Sequence, residues 1–130
     1  MKTKNKYLII AGIFNSITFF LHLIGGQLDL VNPMIETTLS IRKSSQLIGA
    51  WNMVTIILLA TSYVLLSAGF KKKYATNIEL IRLIGYLNLS FCLPFIIASF
   101  YYGLLVPQWI FFLPIGVFTM LGLKKVENDA

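Results

Sequence analysis

Hydrophobic residues fall into four long runs separated by short polar stretches, and within the runs charge is almost absent. A helix needs about 20 apolar residues, at about 1.5 Å each, to cross a hydrocarbon core about 30 Å thick. The runs at residues 7–24, 47–66, 80–102 and 106–123 come close to that length. The pattern therefore predicts an all-α membrane protein, a four-transmembrane-helix bundle forming one domain over residues 1–130.

The first run, YLIIAGIFNSITFFLHLI, meets Gly25-Gly26, where the helix is expected to end in a loop carrying Gln27 and Asp29. Asn32-Pro33 then reads as a helix cap followed by proline at the first helical position. With Met34, Ile35 and Leu39 on one side, residues 33–42 are expected to form a short external helix lying on the membrane interface. GFKKKYATNIE reads as a basic cytoplasmic loop, GLLVPQ as a tight external turn, and residues 127–130 as a disordered tail.

Polar and small residues recur at helical spacing inside the runs. Asn15, Thr18 and His22 share a face of the first; Ser45, Gly49, Asn52, Thr55 and Ser62 one of the second; Gly85, Asn88, Cys92 and Ser99 one of the third. Such stripes mark faces that approach closely and exchange hydrogen bonds worth about 0.6 kcal/mol each. Asn15, Thr18, Thr55, Asn88 and Ser99 are accordingly read as packing residues, with Asn15 and Asn88 deep enough to meet mid-bundle.

Charge orients the bundle. Lys2, Lys4, Lys6, Lys71, Lys72, Lys73, Arg82, Lys124 and Lys125 flank one side, against Arg42 and Lys43 on the other. Basic flanks stay inside the cell, so both termini are expected on the cytoplasmic side of a bacterial inner membrane. The net charge of +6 thus reflects orientation and contact with membrane lipids; no basic face interleaved with aromatics points to nucleic acid. A mean hydropathy of +0.78 agrees with this reading, as does a charged fraction of 12%, against roughly 25% in soluble domains. The lysines ahead of the first run also resemble a signal peptide, but the run ends in LIGGQ without a small-residue cleavage site and is read as a retained span.

Candidate chemistry is sparse. His22, the chain's one histidine, lies near the outer end of the first run at about the height of Asn52, with Trp51, Tyr101 and Tyr102 near that level. Together with Gln27 and Asp29 these residues outline an outward-facing pocket in which His22 would act as acid or base. One histidine, one cysteine (Cys92) and a single nearby carboxylate fall short of the three or four ligands of a metal site, and no metal or cofactor is expected. No acidic residue lies inside a run, so proton exchange through a membrane carboxylate has no carrier. A Ser-His-Asp set, paired carboxylates and a phosphate-cradling loop are also missing.

The stretch HLIGGQLDLVNP, with the later GAWNMVT, resembles a group of small bacterial four-span membrane proteins over the first half of the chain. That resemblance implies the fold and no chemistry. The expectation is a non-catalytic protein that binds a partner membrane protein or an apolar small molecule and is open to oligomerisation. A membrane enzyme or small-molecule carrier using His22 is the second reading.

Overall fold

The computed structural model describes residues 4–36 and 40–128, and every regular element among them is helical. Four helices are long and apolar enough to cross a membrane: α1 (Lys6–Ile35), α2 (Ile41–Phe70), α3 (Ile78–Tyr102) and α4 (Trp109–Asn128). One further helical turn, Lys72–Ala75, lies in the loop between α2 and α3. The architecture is that of a small multi-pass membrane protein.

The beginning of α1 is fixed by Asn5, whose side chain accepts from the amide of Leu8 while its own amide donates to the carbonyl of Gly69. A donor at one helix start thereby satisfies a carbonyl in the last turn of α2, where no intrahelical partner remains. The Asn5 carboxamide also donates to Gly122 O at 2.8 Å, so one residue ties α1, α2 and α4 together.

The expected break at Gly25-Gly26 is absent. After the α-helical segment Lys6–Phe20, the chain widens into π-turns at Leu21–Gly25 and Gln27–Val31 and returns to α-geometry over Asn32–Ile35. Gly26 is itself right-handed helical, at φ −67° and ψ −31°. Its place in the sequence has a different cause: a Cβ there would lie 2.2 Å from Cζ2 of Trp51, so only glycine admits the indole. The residues expected to form an external helix are divided. Pro33 to Ile35 finish α1, Ile41 and Arg42 begin α2, and Thr37 to Leu39 lie outside the described residues. At the other end of the chain α4 stays helical to Asn128, beyond the point where a tail was expected.

Three helix seams are drawn tight by glycine. Gly12 faces Leu66 and Gly69 faces Ile9 between α1 and α2; Gly122 faces Leu8 between α1 and α4; Gly85 faces Met120 and Gly116 faces Leu89 between α3 and α4. A methyl group at any of these five positions would sit 2.5–2.7 Å from its neighbour, so the backbones touch where in lipid only packing and polar contacts favour association. The α2–α3 edge has no such seam and touches over a short stretch alone.

Two apolar clusters fill the bundle. One, built on Leu8, Leu65, Ile81, Ile115 and Leu123, lies toward the end carrying the lysine-rich flanks; the other, built on Leu58, Cys92 and Phe112, lies toward the opposite end. Helix lengths are unequal. At 30 residues each, α1 and α2 extend about 45 Å, while the 20 residues of α4 extend about 30 Å. Leu8 packs on Gly122 and Phe14 stacks on Phe118, so α4 begins opposite about residue 21 of α1. Beyond that level α1 and α2 overhang the shorter α3–α4 pair.

Candidate functional site

The overhang begins at His22, where the backbones of α1 and α2 part and side chains fill the gap. The imidazole stacks on the Trp51 indole, ring centroids 3.8 Å apart and planes inclined by 15°. Its Nδ1 lies 3.0 Å from Thr55 Oγ1, and that hydroxyl lies 3.1 Å from the carbonyl of Trp51. Thr55 has one proton to give. Donated to Trp51 O, it leaves the oxygen free to accept from His22, which puts the imidazole proton on Nδ1 and the lone pair on Nε2. Gly26 receives the far edge of the indole. His22, Trp51, Thr55 and Gly26 thus form a wedge between the two long helices.

The other residues expected around His22 are not gathered there. Asn52 is exposed and donates to Ile48 O on its own helix. Gln27 donates to Asn32 Oδ1 along α1 at 3.0 Å, and Asp29 is exposed. Tyr101 and Tyr102 are exposed at the end of α3, edge to face with one another at 4.9 Å. The placement of Gln27 and Asp29 follows from the π-turns: each adds a residue to the repeat and rotates what comes after it away from the face that a 3.6-residue count assigns.

The in-span polar residues divide in the same manner. Asn15, fully buried, crosses to α2: its amide donates to Thr61 Oγ1 at 2.7 Å and to Leu58 O at 3.3 Å. Thr55 crosses to α1 through His22. Thr18 donates to Phe14 O and Asn88 to Ile84 O, both within their own helices. Ser99 holds a turn and no second helix: it donates to Phe95 O and accepts from the amide of Val106. Hydroxyls in an apolar setting find the carbonyl four residues back first, which keeps the bonds donated by Thr18 and Ser99 local. The expected stripe on α2 is split likewise. Ser45, Gly49 and Asn52 are exposed, and the buried face runs through Ser44, Thr55, Leu58, Ser62 and Leu65.

Asn15 and Asn88 do not exchange a hydrogen bond, yet they share a level. Asn15 lies near Ile115 of α4 by the packing of Leu8 and Phe14, and Asn88 lies near Gly116 by the packing of Leu89. The carboxamide oxygens of both are buried without a partner among the described residues, as is Nε1 of Trp51. Asn5 was not singled out from the sequence; its signal was an asparagine standing just ahead of an apolar run.

A different arrangement occupies the opposite end of the molecule. There α3 and α4 enclose a surface groove of about 630 Å³ with Arg82, Lys124 and Glu127 at one end and apolar side chains along it. Arg82 reaches Glu79 at 2.6 Å and Glu127 at 2.8 Å, joining the start of α3 to the end of α4. No group of three His, Cys, Asp or Glu side chains is placed to hold a metal ion among the described residues. Comparison of the chain with known protein families, with curated proteins and with solved structures returned no match, so the reading of these sites rests on their own chemistry.

Proposed function

We propose that this chain is a non-catalytic integral protein of a bacterial inner membrane, with both termini in the cytoplasm, that works by holding another membrane component against its bundle. The component would be a helix of a partner membrane protein or an apolar small molecule. The orientation is supported by the flanks: Lys4, Lys6, Lys71, Lys72, Lys73, Arg82, Lys124 and Lys125 gather at one end of the antiparallel bundle, Arg42 and Lys43 at the other.

The observation that carries the reading is the step made by unequal helices. The overhanging part of α1 carries Leu28 and Leu30, each more than half exposed and on opposite sides of the helix, and the end of α3 below it carries Phe100 and Tyr101, 85% and 80% exposed. Exposed apolar side chains at this step, with Asp29, Glu36, Arg42 and Lys43 exposed at the same end of the bundle, suit a binding surface with an apolar centre and a charged rim. The alternative, catalysis or transport through His22, has weaker support, since its Nδ1 is held by Thr55 and one face of its ring is covered by Trp51.

A photo-crosslinker placed in turn at Leu28, Tyr101 and Leu59 in intact membranes tests the proposal. One adduct of the same mass is expected from Leu28 and Tyr101 and none from Leu59, which is exposed at mid-span, and Phe100→Asp should abolish it. Lipid adducts alone from all three positions would refute the partner reading. A reporter fused after Ala130 that is active only outside the cytoplasm would refute the orientation.

A further inference from the structure

We infer that one water molecule is bound at the centre of the bundle, shared between the carboxamide oxygens of Asn15 on α1 and Asn88 on α3, and that it ties α3 to the α1–α2 pair where no glycine seam does. The inference does not depend on the partner reading above.

A polar layer parts the two apolar clusters. On α1 Asn15 stands between Ala11 of one cluster and Phe19 at the other, on α2 Ser62 stands between Leu65 and Leu58, and on α3 Asn88 stands between Ile84 and Cys92. All three side chains are buried, at 0%, 4% and 2% exposure. Register sets them at one height. Gly12 faces Leu66 and His22 reaches Thr55, which puts residue 62 opposite Asn15, and Leu58 and Cys92, one turn away from Ser62 and Asn88, share a cluster.

Hydrogen bonding within the layer leaves acceptors over. Asn15 uses both N–H groups on Thr61 Oγ1 and Leu58 O, Ser62 gives its proton to Leu58 O, and Asn88 gives one N–H to Ile84 O. The Oδ1 atoms of Asn15 and Asn88 then have no donor among the described residues. Buried oxygens of this kind are satisfied in folded proteins by ordered water or by an ion. Chemistry selects the water. Two acceptors require a molecule with two donors, whereas a cation would lose its hydration in the bundle interior beside three side chains that carry no charge to offset the cost. The span is also right. α1 packs on α2 and α4, and α3 on α4 and briefly on α2, so α1 and α3 lie across a diagonal. With neighbouring helices about 8–10 Å apart, that diagonal is about 13 Å, a distance that two inward carboxamides with one water between them can bridge.

The test uses the full chain in perdeuterated micelles, with the asparagine side chains labelled with nitrogen-15 and cross-relaxation measured from water to carboxamide protons. The reporter is Asn88, whose carboxamide bonds to Ile84 O and to no hydroxyl that could relay the signal. It should show a water that outlasts molecular tumbling, keep it in Ser62→Ala and lose it in Asn15→Leu. Stability gives a second readout. In an Asn88→Leu background, Asn15→Leu should weaken folding about fivefold less than in the native chain, the effect of one shared hydrogen-bonded bridge. The measurement on the native chain decides the matter should either leucine variant fail to fold. Absence of a long-lived water at Asn88, a signal that survives Asn15→Leu, or leucine effects that combine additively within about twofold would overturn the proposal. So would an unfolding midpoint that moves when sodium replaces choline at constant ionic strength, by showing a cation in the water's place.

Discussion

Adjacent glycines at positions 25 and 26 give the sharpest test of how α1 is built, because the continuous helix assigns them opposite responses to the same substitution. At Gly25 a Cβ meets nothing within 4 Å, and the backbone has the negative φ that any residue accepts. Gly25→Ala should therefore stabilise the protein by about 0.5–1 kcal/mol, the ordinary gain of alanine over glycine inside a helix. Gly26→Ala has the same backbone gain, but its new methyl would sit 2.2 Å from Cζ2 and 2.7 Å from Cη2 of Trp51. The indole cannot retreat freely, since its ring stacks on His22 at 3.8 Å. Overpacking of this kind costs about 1–3 kcal/mol, so the net effect should be a loss of about 1–2 kcal/mol. The two alanines are then separated by about 2 kcal/mol, roughly a 30-fold difference in the unfolding equilibrium constant.

Unfolding in dodecyl maltoside micelles by increasing mole fractions of sodium dodecyl sulfate, followed by near-ultraviolet circular dichroism, resolves a difference of that size. A double-mutant cycle isolates its origin: in a Trp51→Leu background, Gly26→Ala should cease to destabilise. Were the glycine pair a helix stop with a left-handed residue, Gly25→Ala would destabilise instead. That result, or equal stabilisation by both alanines, would refute the account of the wedge.

The remaining predictions concern buried amides in the same titration. Asn5→Ala removes the α1 cap and the bond to Gly122 O and should cost about 2 kcal/mol, with Asn5→Ser recovering about half through the cap alone; a loss below about 0.5 kcal/mol for Asn5→Ala would deny the residue its three-helix role. Asn15→Leu should cost about 1 kcal/mol, because it breaks bonds to Thr61 and Leu58 across a seam. Asn88→Leu should be neutral or stabilising, because it loses one bond within α3 and removes a buried oxygen that has no partner among the described residues. The reverse order for the two leucines would show that Asn88 makes the more valuable contact.

Four apolar helices were legible because run length against bilayer thickness is a strong constraint that needs no knowledge of packing. The faces of those helices were legible only where the 3.6-residue repeat persists. On α1 it places Asn15 and Thr18 correctly in the interior, and on α3 it does the same for Gly85, Asn88 and Cys92. After Phe20 the repeat changes, and Gln27 and Asp29, read as companions of His22, turn away from it. The glycine pair misled for a related reason. Glycine at a helix end and glycine beneath a tryptophan look alike in a sequence, and only the position of Trp51, 25 residues on, tells them apart.

The polar residues inside the spans carry a further lesson about membrane interiors. Ser16, Thr18, Ser62, Ser99 and Thr119 all donate to the carbonyl four residues back, so each is satisfied without a partner helix or a ligand. Counting polar side chains in a span therefore overstates the number available for binding. What is left over is unevenly distributed. Where glycine seams close three helix pairs, the charged groups Arg82, Lys124 and Glu127 stay at the lysine-rich end of the groove, and the oxygens of Asn15 and Asn88, without a partner among the described residues, are sealed inside. Where α1 and α2 run past the shorter α3–α4 pair, Leu28, Leu30, Phe100 and Tyr101 are left exposed. Small-residue packing thus closes one end of the bundle down to its charged rim, while unequal helix lengths leave apolar side chains uncovered at the other.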